Sequence, residues 1–227
     1  TLQLKVLGGE PTINAKVHSV FQYAIDNDYA KNIDLRITTN FTNVNKTYHM
    51  FDKFKSCSIQ ASIDGTGPTY EYIRVPAKWN IIKRNILDFS KRYENSYPRV
   101  QFSVSFVWQL ANCFTTKEWL PELLELYYTE PSLKKLINPT RSIDMLYALE
   151  NGTGSTLESV PEDFKKYIIN DLNDILKDWN HIPQAKENIE LLISYTKRAK
   201  FDKTEFKRFK KKFPLMDNYK KTNIRSL

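Results

Sequence analysis

Three short stretches of this chain alternate polar and apolar residues with the two-residue period of a β-strand. Helical stretches of 3.6-residue period follow them, and that alternation limits the fold more than any other feature. In Ile33–Thr39 and the residue after it, Arg36, Thr38 and Asn40 share one face. In Cys57–Ile63 the polar face is Ser58, Gln60 and Ser62. In Arg99–Val107 it is Gln101, Ser103 and Ser105. Two more strand patterns, Leu2–Leu7 and Arg141–Leu149, flank these three. Helical patterns over Asn14–Tyr29, Lys46–Phe54, Lys78–Tyr93 and Lys117–Tyr128 separate the strands, and Asp64–Ala77 reads as a long loop. Such alternation predicts βα units, a parallel sheet and right-handed crossovers. Five units are too few for a closed eight-stranded barrel. A doubly wound sheet and a partial barrel remain. Parallel strands covered on both faces read as continuous apolar runs, whereas each strand here keeps one polar face. Buried polar groups need partners, so the expectation is an open partial barrel whose polar face lines a cleft for water or a polar ligand.

After Gly154 the pattern turns helical. A helix opens at Val160-Pro161-Glu162 with Phe164, Ile168, Leu172, Ile175 and Trp179 as its apolar face. A second follows Pro183, using Ile189, Leu192 and Ile193. A basic helix over Lys203–Phe213 has Phe206, Phe209 and Phe213 as its stripe, and residues 214–227 show no period. The expected division is a barrel core over 1–150 and a helical C-terminal extension with a basic tail over 151–227. The net charge of +8 is local: Lys197–Arg225 holds twelve Lys and Arg against three acids, and the rest is close to neutral. Nucleic acid is therefore not an expected partner. No apolar run approaches the roughly 20 residues that span a bilayer. Cys57 and Cys113 are too few for a disulfide framework or a four-ligand metal site. They are expected to be buried free thiols in a cytoplasmic protein. The glycosylation patterns at Asn40, Asn45 and Asn151 are read as chance.

The six glycines fall in three pairs, Gly8 and Gly9, Gly65 and Gly67, Gly152 and Gly154, each after a strand pattern. That end of a parallel strand is where ligands bind. In Val6-Leu7-Gly8-Gly9-Glu10-Pro11, bare backbone admits a ligand, Pro11 fixes the exit, and the carboxylate suits a cationic amine. In Ser62-Ile63-Asp64-Gly65, a hydroxyl and a carboxylate two residues apart suit a diol such as ribose. Glu71 and Arg74 stand at the spacing of a helical-turn ion pair. Asn112 lies in the turn after the fourth strand. His18, His49 and His181 are isolated, so no metal ligands are expected among them.

Leu4-Lys5-Val6-Leu7-Gly8-Gly9-Glu10-Pro11, Thr38-Thr39-Asn40, Ser62-Ile63-Asp64-Gly65 and Tyr70-Glu71-Tyr72-Ile73-Arg74, with Trp79 and Asn85, occur in that order. Together they resemble the core of a radical S-adenosylmethionine (radical SAM) protein of the twitch-domain branch. The resemblance covers about Leu2–Asn112. It implies a TIM-type partial (β/α)₆ barrel, here lacking its first strand. It implies that Gly8, Gly9, Glu10 and Pro11 hold the amino group of S-adenosylmethionine, and that Ser62 and Asp64 meet its ribose. Asn40 and Asn112 would line the cleft, and Arg74 would pair with a carboxylate or support the loop. The implied cofactors are S-adenosylmethionine and a [4Fe–4S] cluster, which generate an adenosyl radical for hydrogen abstraction, with a peptide or protein as substrate and a protein as reductant. The family's cluster motif, Cys-x₃-Cys-x₂-Cys, has no counterpart here. With no initiating Met, the chain is expected to be a fragment that alone binds S-adenosylmethionine weakly and is inactive. No auxiliary cluster is expected, because no cysteine follows Cys113. The alternative is a non-catalytic barrel-derived module that docks a peptide or protein.

Overall fold

A computed structural model of the chain describes residues 2–138, 143–147 and 155–220, the side chains of 146, 147 and 212–220 excepted. It is an α/β chain. Strand β1 (Leu2–Val6) leads to helix α1 (Ala15–Asp26), then β2 (Ile33–Thr39) and the short helix α2 (Tyr48–Phe51). Strand β3 (Ser56–Ser62) is followed by α3 (Gly67–Ile73) and α4 (Trp79–Tyr93). Strand β4 (Val100–Trp108) is followed by α5 (Leu110–Cys113), α6 (Thr116–Tyr128) and α7 (Pro131–Lys134). Strand β5 (Asp144–Tyr147) precedes α8 (Glu162–Trp179), α9 (Pro183–Arg198) and α10 (Lys203–Lys220).

The five strands lie in the order β1-β2-β3-β4-β5, with no reversal. The pairs β1/β2, β2/β3 and β3/β4 are parallel. In a sequentially ordered parallel sheet, every right-handed crossover steps the same way and returns over the same face. The opposite face is left without crossover helices. The alternation seen in the sequence is laid across the strands in register: Lys5 beside Arg36, Arg36 beside Ser58, Ser58 beside Gln101. The next row runs Thr38, Gln60, Ser103, and then Ser62 meets Ser105. The apolar alternates Leu35, Ile37, Cys57, Ile59, Ala61, Phe102 and Val104 are buried.

The chain divides into two compact units. The first comprises Thr1–Ile63, Asn80–Ser105 and Leu126–Arg141. An aromatic cluster lies in its core: Phe41 packs edge-to-face on Phe89 and on Phe102, with ring centroids 5.6 Å apart in both pairs. The second comprises Asp64–Trp79, Phe106–Glu125 and Ser142–Leu227. In it Phe106 packs on Trp119, and α8 lies along α9.

Local chemistry explains most boundaries. Asn14 caps α1, its side chain accepting from the N–H groups of Lys16 and Val17. The helix stops at Asp26, short of the expected Tyr29, because Asp28 takes φ +60°. Three sequence expectations change. The loop 64–77 contains α3, which carries Pro68 in its first turn, where a missing N–H costs nothing. On α8 Phe164 is exposed, and Lys165 takes the inward place. The Lys165 ammonium is satisfied by the Glu162 carboxylate and the Ala199 carbonyl, so a buried cation replaces the expected aromatic. Helix α10 continues to Lys220, past the expected end at Phe213. The ends of the expected fifth strand, Gly152, Gly154 and Asn151 lie outside the described residues. Among the described residues no helix is long and apolar enough to cross a membrane.

Candidate functional site

In the first unit, the end of β1 is built around Glu10. Gly8 and Gly9 take φ +81° and +58°, and nothing lies within 4 Å of where a Cβ would stand on either. Two consecutive left-handed residues turn the chain sharply, and only glycine adopts that without strain. The turn delivers the half-buried Glu10 carboxylate back against the end of β2. Its Oε1 accepts from Thr12 N–H (3.1 Å), the Thr12 hydroxyl (2.6 Å) and the Thr39 hydroxyl (2.6 Å). Among the described residues, its Oε2 accepts from Asn40 N–H, at 2.7 Å. Pro11 and Thr12 are buried. Among the described residues no Lys, Arg or His pairs with Glu10. The result is an immobilised carboxylate whose charge is met, among the described residues, by hydroxyl and amide dipoles, with acceptor capacity left on Oε2.

The chain after β2 is equally fixed. Asn40 Oδ1 accepts from the N–H and the hydroxyl of Thr42 at 3.0 and 2.7 Å. Phe41 is fully buried with φ +65°, an uncommon conformation for a bulky residue. It is held there from both sides. Its N–H donates to Thr39 Oγ1 at 3.0 Å, and its carbonyl accepts from Asn85 Nδ2 at 2.9 Å. Asn85 also donates to the Thr42 carbonyl at 3.1 Å. Ser62, at the end of β3, is half-buried beside Ser105.

In the second unit, Asp64 is only 4% exposed. Its Oδ1 accepts from Val107 N–H at 2.8 Å. Its Oδ2 takes Nε (2.8 Å) and Nη2 (2.6 Å) of Arg74. Arg74 thus directs its guanidinium to Asp64 within the chain. Glu71 is not its partner: the Glu71 carboxylate holds the Lys78 ammonium at 2.6 Å and Trp79 N–H at 3.2 Å. Asn112 is wholly buried. Its Nδ2 donates to the carbonyls of Asp64 (2.9 Å) and Val107 (2.8 Å), and its Oδ1 accepts from Gln109 N–H (3.0 Å). Both amide protons are engaged within the protein, so Asn112 has none to offer a ligand. Sequence reasoning missed Thr12 as a partner of Glu10, and it missed Val107 and Gln109. The latter two take part through backbone N–H or carbonyl groups, which leave no mark in a residue pattern.

On the sheet of the first unit, Arg36, Thr38, Ser58, Gln60, Gln101 and Ser103 line one cleft of about 330 Å³. These six belong to the polar strand faces read from the sequence. The thiols lie elsewhere. Cys57 and Cys113 are free and buried, and burial pushes both thiol pKa values well above the ordinary range. Iron or zinc needs the thiolate, so neither thiol is disposed to ligate. Among the described residues no three His, Cys, Asp or Glu side chains gather as a metal-ligand set. The residues present therefore do not fit an iron–sulfur cluster. No known family model matches the chain, and no curated protein sequence matches it.

Proposed function

We propose that this chain is the S-adenosylmethionine-holding part of a radical SAM protein, built on a partial (β/α)₆ barrel. One observation carries the proposal. Glu10 is a fixed, half-buried carboxylate without a cationic partner among the described residues, beside two glycines whose Cβ positions are open. A carboxylate held this way favours a cationic amine, and open glycine backbone allows a ligand to approach closely. The unreversed strand order and the ordered motifs support the barrel. In this reading the Gly8–Gly9 turn receives the amino group of the methionine moiety. Glu10 supplies the compensating charge, and Thr12, Thr39 and Asn40 hold that charge in place. Ser62 meets the ribose. Asp64, Arg74 and Asn112 act as supports. When bound and given one electron by the protein reductant, S-adenosylmethionine would release methionine and supply the adenosyl radical for hydrogen abstraction, with a peptide or protein as the substrate class. The two buried thiols do not fit the cluster that such cleavage uses, so no catalytic step is assigned to them.

Saturation-transfer NMR of S-adenosylmethionine over this chain tests the proposal, because it detects weak binding. Signal is expected with the native chain. It should fall at least about tenfold for Gly9→Val, which fills the open position and strains the backbone. No transfer to the native chain, or equal transfer to Gly9→Val, would defeat the proposal.

A further inference from the structure

The cleft on the sheet of the first unit has a second property: two cations side by side. Lys5 and Arg36 are register partners on neighbouring strands, and both line the cleft. Both are exposed. Like charges directly opposite each other on a sheet repel. Among the described residues, neither cation has an ion-pair partner. The partner found for Arg36 is neutral: the Gln3 amide oxygen, in its hydrogen-bonding orientation, accepts from Nε and Nη2 at 3.2 Å each. The cleft also holds an acid, Asp34, which is tied to its register partner Ser56 in the row next to the cations. Its Oδ1 accepts from the Ser56 hydroxyl at 2.6 Å, and its Oδ2 lies 3.8 Å from the Lys55 ammonium. Around the cations stand neutral donors and acceptors, Ser58 and Gln101 in the same row, Gln60 and Ser103 in the next.

We infer that this cleft is a binding site for a small oxyanion, a phosphate or carboxylate group carried on a polar body, with Arg36 and Lys5 as its charge partners. The chemistry is direct. A guanidinium presents paired N–H groups that match two oxygens of a phosphate or carboxylate, and an ammonium beside it adds a point charge. An anion placed between them removes their repulsion. The cleft volume of about 330 Å³ is at the small end of ligand clefts. Its hydroxyl and amide lining suits a hydroxylated body more than an apolar one. The site is independent of the Glu10 turn, and its test uses no S-adenosylmethionine.

The test is calorimetric titration of the chain with inorganic phosphate and, separately, with succinate, against chloride at matched ionic strength. Saturable binding of at least one anion is expected, and the stronger of the two identifies the headgroup. Arg36→Gln should weaken it at least about tenfold, the scale of one lost charge-assisted hydrogen bond. Lys5→Gln should weaken it less, and Lys16→Gln, on α1, should leave it unchanged. In chloride alone both cleft variants should be at least as resistant to urea as the native chain, because each removes a repulsion. Absence of saturable binding by both anions would overturn the inference. So would equal binding by Arg36→Gln, or a loss of urea resistance in the cleft variants, which would mark the cations as structural.

Discussion

Glu10 and Asp64 perform the same mechanical task with different electrostatics. Each is a carboxylate placed just after a strand, and each accepts the backbone N–H near the end of the next strand. Glu10 takes Asn40 N–H after β2, and Asp64 takes Val107 N–H in β4. Buried N–H groups require such partners. Asp64 then closes its own charge with the Arg74 guanidinium and is 4% exposed. Glu10 closes with two threonine hydroxyls and a further amide, and stays half-buried. A neutralised carboxylate is a structural tie. One with no cation beside it among the described residues, rigidly held next to open glycine backbone, can still attract a cation. In the proposed reading, that difference distinguishes a binding group from a support among residues that the sequence presents alike.

The largest expected effect is at Asp64. Asp64→Asn leaves the Arg74 guanidinium, 29% exposed, without its counter-charge, an expected cost of about 3 kcal/mol, the low end for breaking a buried pair because water reaches the arginine. Denaturant unfolding measures it. A cost no greater than that of Glu10→Gln would erase the distinction drawn here. Asn112→Ala comes next. It leaves two carbonyls and one N–H without partners, an expected loss of about 2–3 kcal/mol by the same measurement. Glu10→Gln should cost the fold only about 1 kcal/mol, because shape and an acceptor remain. Its larger effect should be on S-adenosylmethionine, with saturation transfer falling about tenfold. Asp64→Asn, where folded, should retain binding better than Glu10→Gln, and the reverse order would reassign the charge-bearing role. The smallest effect on binding belongs to Thr39→Val, which removes one of four donors to Glu10 among the described residues. Its cost to the fold is about 1–3 kcal/mol, because the buried Phe41 N–H loses its acceptor.

Much of the strand framework was legible. Strand β2 falls where its alternation placed it, and β3 and β4 are each shifted by one residue. Six of the nine residues on their polar faces line one cleft, and Asn40, Ser62 and Ser105 are not part of its lining. A two-residue period is a strong signal because a single slip exchanges the two faces. Helix α3 was not legible. Its seven residues include Gly67 and Pro68, which read as loop, and its buried face is only Thr69, Tyr70 and Tyr72. The exchange of Phe164 for Lys165 was also hidden, since hydrophobicity ranks them the other way. The Ala199 carbonyl that receives the lysine is 34 residues distant in sequence. Of the candidate site residues, the motifs marked Glu10 and Asp64 together, but nothing in them separated the two charges.

The sequence by itself determined the alternation of strands and helices, the polar face of each strand, the Asn14 cap, and the glycine turn that points Glu10 backward. These depend on neighbours within one turn or one pleat. Tertiary structure alone decided which carboxylate meets a cation, that Asn112 donates its amide protons to the Asp64 and Val107 carbonyls, and that Lys5 and Arg36 stand side by side. Those outcomes depend on groups brought together over long stretches of chain. Glu10 and Asn40 are 30 residues apart, and Asp64 and Val107 are 43 apart. No local period encodes such pairings; they exist only once the strands are in register.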